Sequence, residues 1–123
     1  MAIATHREHI VHSVVDQWKS ALDAHEPRRL AGLFTEDAIF QGLRPYGVGR
    51  EAVAAYYEAQ PIGLRADYEL VESREVGQDA ILAYLSVDFS FTDRPTLSVH
   101  LSVLLDRAAE GWLIAHYQVS KLG

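Results

Sequence analysis

The stretch AILAYLSVDFSFTDRPTLSVHLSVLLD, residues 80–106, decides how this chain folds. Its first half alternates in the manner of a strand: Ile81, Ala83, Leu85, Val87, Phe89 and Phe91 share one face, and Tyr84, Ser86, Asp88 and Ser90 the other. Its second half alternates too, with Leu97, Val99, Leu101, Val103 and Leu105 interleaved with Ser98, His100 and Ser102. Two long strands joined through Thr92-Asp93-Arg94-Pro95 therefore make an antiparallel pair.

Outward from this pair, Leu64 to Glu75 and Trp112 to Ser120 read as two more strands, set off by Val76-Gly77-Gln78-Asp79 and by Asp106 to Gly111. The central strands run from Ala80 to Phe91 and from Thr96 to Leu105. Before about residue 62 the apolar period becomes helical. Ile10, Val11, Val14, Val15, Trp18 and Leu22 predict an amphipathic helix over Thr5 to Ala24. Pro27 opens a short second helix with Leu30, Leu33 and Phe34 on its buried side. Asp37 to Gly42 reads as a short strand and the glycines and proline up to Gly49 as an irregular connection. Arg50 to Gln60 is a third helix with Val53, Tyr56 and Tyr57 inward, stopped by Pro61. Three N-terminal helices followed by a meander of strands predict an α+β fold, a curved antiparallel sheet covered by helices, in one domain over residues 1–123.

Turn length decides which side chains of the 96–105 strand meet the helices. The simplest reading puts the leucines inside and His100 in water. An even-numbered turn with Thr92 opposite Pro95 instead pairs Val87 with His100 and Leu85 with Ser102, and so aims Ser98, His100 and Ser102 at the helices. Pairing Leu105 with Trp112 then sets His100 opposite Tyr117. This second register is the expected one. It leaves Val99, Leu101, Val103, Trp112, Ile114 and His116 on an outer face too apolar for water, which implies a two-fold homodimer through that face.

A buried hydroxyl or imidazole without a partner costs about 1–3 kcal/mol, so the inner polar row must be bonded or face a cavity. A hollow lined by Trp18, Phe40, Tyr56, Tyr57, Leu85, Val87 and Phe89 has the composition of a small-molecule pocket. His100 is the candidate for proton transfer, Tyr117 the residue that orients it, and Ser102 and Trp18 the donors to a substrate oxygen. His6, His9 and His12 recur at three-residue spacing and read as a solvated helix face, so no metal is expected.

Composition narrows the partners. Eleven Lys and Arg against seventeen Asp and Glu give a net charge of -6 with no basic block, which argues against nucleic acid and against an anionic membrane. The absence of Cys excludes disulfides, thiolate chemistry and cysteine-held metals. Gly42 to Gly49 lacks a dinucleotide fingerprint, so no cofactor is expected. The opening MAIATHREHI carries charge where a signal peptide would be apolar, and no run is long enough to span a membrane, which gives a cytoplasmic expectation.

LFTEDAIFQG (Leu33 to Gly42), GVGREAVAAYYEA (Gly47 to Ala59) and GWLIAHYQVS (Gly111 to Ser120) resemble the nuclear transport factor 2-like superfamily, especially its SnoaL-like branch and the related kinase II association domain. The resemblance implies a cone-shaped sheet with an internal pocket and sheet-mediated dimers, on a scaffold that serves isomerases, cyclases, dehydratases and non-catalytic modules alike. Carried over from ketosteroid isomerase, the general-base Asp would fall at Gly42, the oxyanion Tyr at Trp18 and the protonated Asp at Ser102. With all three replaced, that mechanism is not expected. Scytalone-type dehydratases pair an interior His with an Asp, and His100 has no evident carboxylate; the Asp-Arg-Asp set of epoxide hydrolases is missing as well. The resulting expectation is a pocket that binds, and isomerises, cyclises or dehydrates, a small hydrophobic oxygenated metabolite of polyketide, steroid or aromatic type. The alternative is a non-catalytic homodimerisation or ligand-sensing module.

Overall fold

Thr5 starts the first helix, α1 (His6–Asp23), with a capping box: its Oγ1 accepts from the Glu8 backbone N–H at 3.1 Å while its own N–H donates to Glu8 Oε1 at 3.0 Å. The apolar stripe of α1, Val11, Val14, Val15, Trp18, Ala21 and Leu22, is buried. His25, at φ 53, turns the chain, and Pro27 occupies the first turn of α2 (Pro27–Ala31). The coordinates are those of a computed structural model and describe residues 5–122. Residues 1–4, which open the segment read above for a leader, and residue 123 lie outside the described residues.

β1 (Phe34–Gln41) begins earlier than the periodicity indicates, because Phe34 belongs to the sheet. A two-residue strand, β2 (Gly47–Val48), follows, then α3 (Arg50–Glu58) and four long strands: β3 (Arg65–Glu75), β4 (Ala80–Ser90), β5 (Leu97–Ala108) and β6 (Gly111–Lys121). The sheet order is β2-β1-β6-β5-β4-β3. Every neighbouring pair is antiparallel except β1 and β6, which run parallel with Phe40 beside Tyr117. Bulges at Val71 in β3 and Ala115 in β6 interrupt the ladders and help the sheet curve around the helices. Three helices over one face of a curved, unclosed six-stranded sheet are the α+β architecture that the sequence implies. Among the described residues, no helix is long and apolar enough to cross a membrane.

The register between the central strands corrects the sequence reading. Phe89 pairs with Leu97, Val87 with Val99 and Leu85 with Leu101, so an odd number of residues, 90–96, closes the turn. A slip of one residue moves a whole strand face to the other side of the sheet. Val99, Leu101, Val103 and Leu105 therefore lie under the helices at 0–2% exposure, and His100 and Ser102 point away from them. The preference is physical: each aliphatic side chain brought out of water contributes about 1.5–3 kcal/mol, whereas the polar row would need a partner for every buried group.

The same slip removes most of the expected dimer surface. Val99, Leu101, Val103 and Ile114 are core residues. Trp112 pairs with Arg107 and packs against the core's edge, with the guanidinium 5.1 Å from its ring. Of the six, His116 alone stays on the outer face, opposite Leu104 and next to Ile39.

Candidate functional site

Inside the cone three polar aromatic groups form a line. Trp18, from the apolar stripe of α1, donates its indole N–H to the Tyr57 hydroxyl at 3.3 Å. Tyr57, from α3, donates in turn to the Tyr117 hydroxyl of β6 at 3.1 Å. All three residues are nearly inaccessible to water. Phe40 stacks on Tyr117 with ring centroids 4.5 Å apart, and Tyr56 meets Phe40 edge-on at 4.9 Å, so the hydroxyl line is walled by aromatic rings.

The line has one proton more than it can bond internally. Trp18 supplies one donor and each tyrosine another, while the only acceptors in the row are the two hydroxyl oxygens. With Trp18 donating to Tyr57 and Tyr57 to Tyr117, the Tyr117 O–H is left without an acceptor; reversing the tyrosine pair leaves the Tyr57 O–H instead. Both tyrosines border a cavity of ≈ 40 Å³, whose mouth is formed by Leu43, Gln60, Phe91, Leu97 and Val119. That volume is room for about one water or the oxygen-bearing end of a ligand.

Burial pushes the Tyr57 hydroxyl well above the ordinary phenol range, and the hydrogen bonds with Tyr117 and Trp18 offset only part of this. Burial raises Tyr117 as well, and the neighbouring Tyr57 adds to it. Both side chains are thus neutral phenols, which donate hydrogen bonds and do not act as bases.

The residues singled out from sequence divide into three groups. Tyr56, Tyr57, Phe89 and Tyr117 line the cavity, and Trp18 and Phe40 stand directly behind the tyrosines. Leu85 and Val87 are packed core residues away from the cavity lining. His100 and Ser102 lie on the outer face of the sheet, where the His100 Nδ1 is 2.7 Å from the Tyr84 hydroxyl; Tyr117 faces Val103 and does not orient the imidazole. Leu43, Gln60, Leu64, Phe91, Leu97 and Val119 complete the lining and lie outside the pocket that the sequence implies. Correct turn parity would have placed Leu97 inward, whereas Leu43 sits in an irregular connection that has no periodicity to read.

Gly42 explains why a carboxylate base has no place here. A Cβ at this buried position would lie 2.6 Å from the Tyr56 ring carbon Cζ and from its hydroxyl. Tyr56 thus occupies the space that an Asp side chain would need, and its oxygen accepts from the Leu43 backbone N–H at 3.4 Å.

A second polar cluster ties α1 to β3 outside the cone. Tyr68 donates to Asp16 Oδ1 at 2.5 Å and accepts from His12 Nδ1 at 2.8 Å, because its single proton is already used on the carboxylate. Burial, followed by Asp16, raises the Tyr68 pKa and keeps it protonated. Among the described residues, no group of three or more His, Asp or Glu side chains is placed to hold a metal ion.

Helices over one face of a curved sheet place the chain among the cystatin-like α+β folds. The SnoaL-like domain model matches residues 11–122, and the chain belongs to that family. No curated protein matches the chain. Among solved structures, a ketosteroid isomerase-like protein from Erwinia carotovora atroseptica is 19% identical, with 98% of this chain and 99% of that one covered at a TM-score of 0.83. A domain of unknown function from Nostoc punctiforme is 18% identical over 98% of this chain and 80% of that one, also at 0.83. A protein from Xanthomonas campestris, named for the association domain of calcium/calmodulin-dependent protein kinase II, is 16% identical over 91% and 85% at 0.77. At these identities the likeness is one of fold.

Proposed function

We propose that the chain binds small, neutral, largely apolar molecules that carry one hydrogen-bond acceptor, such as a ketone or ester oxygen, at the Tyr57–Tyr117 pair. What supports this reading is the donor count of that line, which leaves one hydroxyl proton without an acceptor at the wall of a cavity with no charged lining residue among the described residues. A ligand carbonyl accepts that proton, and its apolar remainder lies among Leu43, Phe91, Leu97 and Val119 at the mouth. The same donor would stabilise negative charge developing on the carbonyl oxygen. Among the described residues no carboxylate or imidazole lines the cavity to remove a proton from the ligand, so binding, with at most electrophilic assistance from the phenol, is the activity the geometry supports best.

Thermal stabilisation by 1-tetralone and by its hydrocarbon counterpart tetralin tests this reading. The ketone should stabilise the chain more than the hydrocarbon. Either single variant, Tyr57→Phe or Tyr117→Phe, keeps one free hydroxyl of the pair and should keep the preference; the double variant should weaken it, and adding Tyr56→Phe, the remaining phenol on the cavity wall, should abolish it. Equal stabilisation by the two compounds, or an undiminished ketone preference in the double variant, refutes the assignment.

The outer face supports a second reading, self-association. Ile39 and Leu82 are 45% and 42% exposed there, beside the Tyr84–His100 pair and Leu104, and the neighbour named for an association domain has the same fold. Sedimentation equilibrium at micromolar concentration should give a dimer that Leu82→Glu or Tyr84→Glu dissociates; a monomeric parent chain excludes this reading.

A further inference from the structure

The geometry points to the open end of the cone as a docking surface for an anionic lipid bilayer. Four segments meet there, and Leu43, Leu64, Phe91, Leu97 and Val119 from them line the same cavity. In sequence each segment carries an apolar residue within three positions of a cation: Leu43 and Arg44, Ile62 and Arg65, Phe91 and Arg94, and Leu122 and Lys121. Leu43, Ile62 and Leu122 are 51%, 79% and 46% exposed, and all four cations are exposed. The Arg94 guanidinium sits 4.8 Å from the Phe91 ring. Gly63 lies close to Thr92, where a Cβ would come within 2.8 Å of the threonine methyl, so the second and third segments abut at the rim.

These segments carry Arg44, Arg65, Arg94 and Lys121 against Asp93, in a chain whose net charge is -6. Asp93, the one acid in these segments, is held by Arg94 at 3.0 Å, and Arg44, Arg65 and Lys121 have no acidic partner within their segments. The overall charge, which argues against a membrane, conceals this local excess of cations. An apolar tip next to a cation, repeated around a ring, is the chemistry of an interfacial anchor: the tips enter the headgroup boundary and the cations meet lipid phosphates. An acidic protein would satisfy the cations, whereas an anionic lipid surface takes both the cations and the exposed Leu43, Ile62 and Leu122 side chains. The inference rests on the rim alone and is independent of which ligand the cavity takes; if the cavity binds an apolar ligand, this end is its route from a bilayer.

Co-sedimentation with vesicles made of equal parts phosphatidylserine and phosphatidylcholine, against vesicles of phosphatidylcholine alone, tests it at low salt. The chain should partition onto the former, leave on addition of salt, and ignore the latter. Leu43→Asp with Ile62→Asp, and Arg44→Glu with Lys121→Glu, should each lower partition about tenfold or more. Val76→Asp, an exposed apolar site at the β3–β4 turn, should change it little. Thermal unfolding of all the variants should stay near that of the parent chain, since every substituted residue is exposed. No partition of the parent chain, equal partition onto both vesicles, or as large a loss in Val76→Asp as in the rim variants overturns the proposal. The tetralone comparison reads the cavity separately, so failure of either test leaves the other result standing.

Discussion

The Tyr57 hydroxyl lies 3.1 Å from the Tyr117 hydroxyl, and the nearest third polar group in the row is the Trp18 indole. A donor chain made only of neutral, buried aromatic groups leaves one of its own protons without an acceptor at the cavity wall, where no base stands among the described residues. That relationship sets what the site holds, and it makes the two tyrosines unequal in their effect on stability.

Tyr57→Phe removes the acceptor of the buried Trp18 N–H as well as a donor, and should lower unfolding free energy by about 1–3 kcal/mol. Tyr117→Phe leaves the Trp18–Tyr57 bond in place and merely transfers the orphan proton to Tyr57, so about 0.5–1.5 kcal/mol is expected. Urea denaturation of the two variants gives the order directly, and Tyr117→Phe proving the more damaging would contradict the hydrogen-bond line.

Leu101 is 1% exposed under the helices, whereas Leu82 is 42% exposed on the other side of the sheet. Leu101→Ala should cost about 2–5 kcal/mol through lost burial and the cavity left behind. Leu82→Ala should stay within about 0.5 kcal/mol in the monomer. In the register with His100 inside, Leu101 would be the tolerant position. His100→Ala belongs with the outer-face group: it removes the bond to Tyr84 and should leave tetralone binding intact.

Glu8 is held below the usual carboxylate range, first by the Thr5 backbone N–H and then by the Thr5 side chain. A carboxylate whose pKa is lower in the folded chain stabilises it fully above the unfolded value, and that contribution fades as pH falls through the folded one. The start of α1 should therefore loosen on acidification below the ordinary Glu range, seen as faster amide exchange in its first turn. Glu8→Gln should flatten this pH dependence; an unchanged acid profile in that variant would assign it to other groups.

Element types were legible because hydrophobic period reports them directly. The stripe from Val11 to Leu22 has helical spacing and the 80–106 stretch alternates, and neither signal depends on distant contacts. Phe34 was read as helical since a single aromatic after Leu33 fits either period; its place in β1 follows from pairing with Ile114 of β6, eighty residues away. Within the cavity, Tyr56, Tyr57 and Phe89 were found through their own helix and strand faces. The error at His100 came from a different source, the length of one turn. Alternation gives two faces for a strand and leaves open which one is buried when both the polar and the apolar row have plausible partners.

What the amino-acid sequence determined by itself is the order and kind of the elements, the α+β class and the aromatic character of the hollow, because these follow from local spacing of apolar side chains. Tertiary structure alone decided the side of the sheet on which Val99, Leu101 and Val103 lie, the meeting of Trp18, Tyr57 and Tyr117, and the gathering of Leu43, Leu64, Phe91, Leu97 and Val119 around one cavity. The physical reason is that turn geometry and strand pairing fix these relations, and both depend on the balance of burial over the whole sheet, which no short window of sequence contains.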